Sequence, residues 1–347
     1  MWVAVLLVAS ACSTGGARPV AQPAAHRVVA TPEATRPVGK ASVTVTIAKP
    51  TSKPKATRAA APDAPSAPAI KAAAPVPAAP AAPVVGLTAF RGLGSWLDVF
   101  DHTNDPSTVV PLVRSMHAKG TKTLYLETAR YSTKGDFEYP KAMGAALDEA
   151  KKLGMRVIAW YPPDFKDVKA DLQRSIAAIE YRSPGGNRFD AFAADIEYTA
   201  GVPDHAKRNK LTVDYSKTLR HAAGKTYPLA AIVIPPSWLE RSPERWPDFP
   251  WKQVGSSYDL VMPMEYWTAI GKDPKTAYDL TKTDTEKTRT LTGRPVHIIG
   301  GLGQDADAKQ TASYVKAVKA SGSLGGGLYD FRTTRSDVWE ELRKLNQ

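Results

Sequence analysis

Phe189-Asp190-Ala191-Phe192-Ala193-Ala194-Asp195-Ile196-Glu197-Tyr198 decides the reading of this chain. The run is apolar until its end, as expected of a strand buried on both faces, and then offers two carboxylates two positions apart. Side chains alternate along a strand, so Asp195 and Glu197 share one face. Burying one carboxylate costs several kcal/mol unless it is paired or neutralised, on the order of the desolvation of any charged group, and burying two costs more. Such a pair at the C-terminal end of a buried strand marks a working site.

Working outward, seven more short apolar runs alternate with amphipathic stretches. The strands are expected at 94–100, 122–128, 156–161, 189–197, 229–234, 259–266, 296–300 and 325–331. Helical periodicity lies near 106–119, 139–153, 166–182, 204–224, 274–292, 306–320 and 334–345. Residues 235–258 carry prolines at 235, 236, 243, 247 and 250 and read as an irregular connection. Strands separated by helix-length segments pair in parallel through crossovers. Eight such units in the 262 residues from 86 to 347 predict an α/β fold, a (β/α)8 (TIM) barrel. No Gly-x-Gly-x-x-Gly follows the first strand, which argues against an open dinucleotide-binding sheet. Gly325-Gly326-Gly327 precedes a strand, the wrong context for a phosphate loop.

The first 85 residues differ in kind. Residues 13–85 hold 13 of the 29 prolines, much alanine and no aromatic residue. Such a segment cannot bury enough surface to offset its ordering entropy, so 12–85 is expected to be a disordered Pro/Ala/Lys-rich linker. At about 3.1 Å per residue, some 70 residues of extended chain reach up to about 200 Å. Nine Lys/Arg against Glu33 and Asp63 put most of the chain's net +12 in this segment. The remaining basic residues are scattered, so no nucleic-acid partner is expected.

At the amino terminus, Val3–Ala9 is an apolar core too short to span a membrane, and small residues lead to Cys12, the chain's single cysteine. The segment resembles a bacterial lipoprotein signal. That resemblance implies a signal peptide over 1–11, lipid attachment at Cys12 and a domain held at the outer face of a bacterial cell membrane. An ordinary secretory signal, releasing the protein, is the alternative. The domain has no cysteine and hence no disulfide.

In a barrel of this kind the active site lies at the C-terminal ends of the strands. Trp96, Asp98 and Asp101 gather there from the first strand, Tyr125 and Glu127 from the second, and Trp160 and Tyr161 from the third. Asp195 and Glu197 follow from the fourth, Tyr266 and Trp267 from the sixth, and Tyr329, Asp330, Phe331 and Arg332 from the eighth. Carboxylates with aromatic walls suit carbohydrate chemistry. Glycosidic cleavage needs a protonated acid and a second group that supports the oxocarbenium ion, and sugar rings stack on Trp and Tyr. Trp96, Trp160, Trp267 and the loop residues Trp238, Trp246 and Trp251 are candidate platforms. Of the six histidines, the five that follow residue 86, His102, His117, His205, His221 and His297, lack metal-ligand spacing, no metal or other cofactor is expected, and no Gly-x-Ser-x-Gly elbow is present. His102, close to Asp98 and Asp101, is a candidate proton partner.

Asp190-x-x-Ala193-x-Asp195-x-Glu197 resembles the strand-four signature of glycoside hydrolase family 18, the chitinases and related enzymes, which reads Asp-x-x-Asp-x-Asp-x-Glu. Met264-Glu265-Tyr266-Trp267 resembles that family's strand-six Met-x-Tyr-Asp/Asn, and Gly326-Gly327-Leu328-Tyr329-Asp330-Phe331 its strand-eight Gly-Gly-x-Met-x-Trp. The resemblance implies Glu197 as general acid, Asp195 orienting a substrate acetamido group, and Tyr266 hydrogen-bonding that group. Trp267, Trp96, Asp98, Glu127, Trp160, Tyr329 and Phe331 complete the expected substrate contacts. Three departures from the signatures bear on the chemistry. Ala193 stands for the middle aspartate, Trp267 for the polar residue after the tyrosine, and Phe331 for the floor tryptophan. A related barrel glycosidase with Glu127 or Asp98 as second carboxylate therefore stays open, as does a non-catalytic, lectin-like barrel. The expected partner is a wall or extracellular polysaccharide, bound by a monomer.

Overall fold

Strand alternation puts Tyr125 and Glu127 on one face of their run and Leu124 and Leu126 on the other, and this two-residue period builds the molecule. A computed structural model describes residues 86–347. The signal segment, Cys12 and the 12–85 linker lie outside the described residues. Eight parallel strands follow in chain order: β1 Gly92–Leu97, β2 Thr123–Glu127, β3 Arg156–Tyr161, β4 Ala191–Ile196, β5 Leu229–Val233, β6 Leu260–Pro263, β7 Ile298–Leu302 and β8 Gly325–Tyr329. They pair in the order β6-β5-β4-β3-β2-β1-β8-β7. Two isolated bridges, Val261 to Val296 and Met264 to Ile299, bring β6 back to β7 and close the barrel.

The helices among the described residues are α1 Pro106–Ala118, α2 Pro140–Lys152, α3 Val168–Glu180, α4 His205–Ala223, α5 Pro236–Arg241, α6 Trp251–Ser257, α7 Pro274–Thr292, α8 Ala308–Ser321 and α9 Trp339–Arg343. None of them is long and apolar enough to cross a membrane. Asp105, Asp167, Asp204, Asp273 and Asp307 each accept a backbone N–H in the first turn of α1, α3, α4, α7 and α8. N-capping therefore accounts for five carboxylates on the loops that follow the strands. The 235–258 connection contains α5 and α6. Arg208 of α4 anchors it, donating to Arg245 O at 3.2 Å with its guanidinium 4.5 Å from the Trp246 ring.

The β8–β1 seam explains the glycine run. A Cβ at Gly325 would lie 2.3 Å from Gly92 O, and one at Gly327 would lie 2.1 Å from Gly94 O. Only glycine permits strands this close, so the run serves packing. Six strands stop short of the expected ends, β2 and β5 by a single residue each. β6 ends at Pro263, which has no N–H to continue the ladder. Likewise β1 ends before Asp98, β4 before Glu197 and β8 before Asp330. The chemistry-bearing residues thus sit where the ladder stops and the loops begin.

Candidate active site

The interior of the barrel is filled by the inward-facing positions of each strand. Trp96 stacks on Tyr125 at 4.1 Å and 13°, meets Trp160 edge-on at 5.9 Å, and lies 6.3 Å from the Tyr329 ring. Trp96 and Trp160 are only 1% and 5% exposed, so they form the floor under the mouth rather than open platforms. Both indole N–H groups lack a hydrogen-bond partner. Ala193 lies directly opposite Trp160 on the neighbouring strand, so its methyl group faces the space that the indole fills.

Above that floor stands a ring of carboxyl groups. Asp98 accepts the Phe100 N–H at 2.7 Å and the Tyr329 hydroxyl at 3.0 Å. Asp101 accepts the Asp98 N–H at 3.2 Å. Glu127 accepts the Val99 N–H at 2.9 Å. Burial, and then the charge of Asp98, pushes the Glu127 carboxyl up to about 8 despite that hydrogen bond. Asp101 is likewise pushed up to about 8, by burial and then by Asp98 and Asp330. Asp330 is raised, by burial first and then by Asp98.

Asp195 is 6% exposed and its Oδ1 has no hydrogen-bond partner. Burial holds its carboxyl well above the usual range, with the charges of Glu197 and Glu127 adding to the effect. Glu197 is half-buried one step beyond β4. Tyr266 faces the same group: its hydroxyl is raised well above its ordinary range by burial, then by Glu197, Asp195 and Asp330. Its ring lies 6.3 Å from that of Tyr329. Asp195, Glu197, Tyr266, Tyr329, Asp98 and Glu127 therefore share one mouth, with Trp96 and Trp160 beneath.

Other expected residues lie elsewhere. Trp267 is fully buried between β7 and α8, 4.9 Å from the Tyr314 ring, and a Cβ at Gly300 would lie 2.6 Å from its ring. It offers no face to a ligand. Phe331 packs on Trp339 at 5.5 Å. Trp246 is buried, Trp238 lies 4.8 Å under the Arg245 guanidinium, and Trp251 lines an outer recess of about 770 Å³ between α4 and α6, remote from the carboxylates. Asp190, the first aspartate of the strand-four signature, accepts from Lys151 at 2.5 Å and from the Val157 N–H at 2.7 Å, at the opposite end of the strand. His102 is buried, its Nδ1 3.1 Å from Thr103 O, and burial lowers its pKa.

Three aromatic residues of the rim were not singled out from the sequence. Phe100 is 44% exposed, with the Arg130 guanidinium 4.9 Å over its ring. Tyr131 and Tyr198 stack at 5.0 Å and 27°, joining the loop after β2 to the loop after β4 beside Glu197. The signal available was position alone, since each lies two to four residues beyond the end of a strand with a carboxylate at or beside that end.

No protein-family model and no curated protein matches the chain. Solved structures do share the barrel. The endo-1,4-β-mannanase from Rhizomucor miehei superposes with a TM-score of 0.55 at 12% identity, over 70% of this chain and 86% of that one. A chitinase from Chromobacterium violaceum gives 0.54 at 12% identity, over 74% and 99%. The spore cortex-lytic enzyme SleL from Bacillus cereus gives 0.55 at 10% identity, over 74% of each chain. At such identities the likeness establishes the fold.

Proposed function

We propose that the barrel is a glycoside hydrolase acting on a wall or extracellular polysaccharide, with Glu197 as general acid and Asp195 assisting. One observation carries the reading. Asp195 is buried without a partner for Oδ1, within the field of Glu197, at the mouth of a parallel barrel, with Tyr266 facing both. Glu197 gives its proton to the leaving oxygen as the glycosidic bond breaks, and takes one from the water that completes hydrolysis. Asp195 holds the reacting ring, and the Tyr266 hydroxyl donates to a substituent on it. The mouth carboxyls Asp98 and Glu127 and the rim aromatics Phe100, Tyr131 and Tyr198 hold the rest of the glycan.

Support comes also from the barrel's neighbours, which by name are a mannanase, a chitinase and a spore cortex-lytic enzyme. An envelope location belongs to the same proposal. The segment 1–11, with its apolar core Val3–Ala9, directs export and is removed, a lipid on Cys12 anchors the protein, and residues 12–85 hold the barrel away from the membrane. Glu197→Gln keeps the shape and removes the acid. Release of reducing ends from cell-wall and extracellular polysaccharides is expected with the native protein and lost in the variant, with unchanged circular dichroism; equal turnover by both proteins overturns the assignment.

A second reading, a non-catalytic glycan-binding barrel, is favoured by Ala193, which leaves Asp195 without a carboxylate neighbour on its own strand. Calorimetric binding of oligosaccharides with no product after prolonged incubation separates it from the enzyme.

A further inference from the structure

The mouth carries more acid than one hydrolytic step uses. Besides Glu197, five carboxyl groups line it: Asp98, Asp101, Glu127, Asp195 and Asp330. Two arginines stand near them, Arg332 acting on Asp101 and Arg130 on Glu127, and neither outweighs the burial and the like charges that raise these groups. Arg332 donates to the backbone carbonyl of Asp101 at 2.9 Å. Arg130 lies 3.9 Å from Glu138 and over the Phe100 ring. Burial lowers the pKa of His102. Tyr329 serves Asp98, whereas Asp195 Oδ1 is served by nothing.

Asp195 is the observation that turns an acidic cluster into a site. It is more than nine-tenths buried, projects inward from β4 toward Glu127 of β2, and leaves an acceptor oxygen open. An open, buried acceptor between acids calls for a donor, and for a donor that brings positive charge. A metal ion fits poorly, because no three His, Cys, Asp or Glu side chains among the described residues converge as a metal-holding group. The carboxyls are spread around a rim that also exposes Phe100 and the Tyr131–Tyr198 stack. Flat aromatic faces match pyranose rings, and scattered carboxyls match charges repeated along a chain.

Resting on the hydrolase reading of this same mouth, we propose that its ligand is a cationic amino-sugar polymer, a glycan whose ring amines are free rather than acetylated, with one ammonium group seated against Asp195 and Glu127. A neutral or N-acetylated chain would add no positive charge beyond Arg130 and Arg332 and would leave Asp195, on which no cation acts, without one. An ammonium lets the two carboxyls beside it ionise, so Glu127, which holds its proton up to about 8, and Asp195, raised by burial, release protons as the ligand arrives.

The test uses the full chain carrying Glu197→Gln, so that no ligand is consumed. Calorimetry at about pH 6 compares a glucosamine hexamer, an N-acetylglucosamine hexamer, cellohexaose and a lysine hexamer. The free-amine sugar is expected to bind at least about tenfold more tightly than any of the others, a difference of about 1.4 kcal/mol. Its affinity should fall as salt is raised, and repeating the titration in buffers of different ionisation enthalpy should reveal proton release. Adding Asp195→Asn should erase the preference while leaving the fold intact by circular dichroism. Equal or tighter binding of the acetylated or neutral hexamer overturns the proposal, and so does equal binding of the lysine hexamer, which would mean the mouth reads charge without sugar. The two readings fail separately. A native protein that binds the amino sugar and cleaves no glycan loses the hydrolase assignment alone, and one that cleaves acetylated or neutral glycans without binding the amine form loses this inference alone.

Discussion

Tyr329 donates a hydrogen bond from its hydroxyl to Asp98 Oδ2 at 3.0 Å, tying the end of β8 to the loop after β1 across the barrel's glycine-rich seam. The other oxygen of Asp98 accepts the Phe100 N–H at 2.7 Å. Tyr329→Phe removes the first bond and leaves the second. Loss of one hydrogen bond to a charged acceptor costs about 1.5–3 kcal/mol, less where water replaces the donor. A thermal melt should show a small fall, whereas turnover should drop about tenfold as Asp98 shifts within the ring. A variant with native kinetics would remove Asp98 from the site.

An aspartate at position 193, where the resembled strand-four signature has one, is expected to harm rather than help. Ala193 is fully buried and faces Trp160 across the β3–β4 ladder. A carboxylate there would displace the indole and lie beside Asp195, whose own proton is held by burial and by neighbouring charge. Burying such a group costs several kcal/mol. Ala193→Asp should therefore lower the urea midpoint strongly and give no new activity on N-acetylated substrates. A stable, more active variant would show that the site had merely lost one carboxylate.

The barrel was legible because period-2 alternation and period-3.6 helices are local signals, and β3 falls at Arg156–Tyr161 as its sequence predicts. The strand-end carboxylates were legible for the same reason. Depth was not. Alternation places Trp96 and Trp160 inside the barrel, but only the packing of neighbouring strands makes them a floor. Trp267 was misplaced because β6 stops at Pro263, after which the strand period no longer tells which way a side chain points; Trp267 begins a 3-10 turn and packs outside the barrel. Asp190 has the residue type of a signature position, yet it sits at the other end of β4 among cations.

The mouth should make stability depend on pH. The Glu127 and Asp101 carboxyls titrate at about 8 in the folded protein against 4.5 and 3.8 ordinarily. Between those limits the folded state binds more protons than the unfolded state. Their contribution is therefore fully present below about pH 4 and is lost as pH rises toward about 8, with a slope of up to about 1.4 kcal/mol per pH unit for each proton. Glu127→Gln, which needs no proton, should flatten the slope in chemical denaturation between pH 5 and 9, taken as about four units of titration. An unchanged slope would mean that Glu127 is ionised throughout.

Arg208 positions the loop that follows Glu197. Buried under the loop, its guanidinium donates to Thr199 O at 3.2 Å, Val202 O at 2.9 Å and Arg245 O at 3.2 Å. A lysine cannot fork to three carbonyls in fixed directions. Arg208→Lys should cost about 2–3 kcal/mol, from hydrogen bonds made by a charged donor. Backbone amide exchange over 197–203 should quicken while β1 to β3 stay protected. Turnover should fall more than affinity, because the acid is misplaced while the rim persists. Uniform quickening throughout the barrel would make Arg208 a global stabiliser instead.

Behind the mouth, Glu265 and Asp284 form a buried pair whose proton should be as consequential as those of the mouth. Asp284 accepts the Ser237 N–H at 2.7 Å and the Ser237 hydroxyl at 2.6 Å. Glu265, 1% exposed, is raised well above the usual carboxyl range by burial, and then by its hydrogen bond to Asp284 and that residue's charge. It is the protonated partner and donates to Asp284. Because its folded pKa is raised, its contribution to stability is present at low pH and lost as pH rises. The strain of losing it falls on the segment Met264–Tyr266, and so on the tyrosine that faces Asp195 and Glu197. Glu265→Gln keeps a donor toward Asp284 without a titrating proton. The variant should match the native protein within about 1 kcal/mol at pH 5, the worth of one exchanged hydrogen bond, and exceed it at pH 9. Activity at pH 9, relative to pH 6, should rise in parallel, since Tyr266 then stays in place. If the variant loses stability with pH as steeply as the native protein does, Glu265 does not carry the proton of the pair.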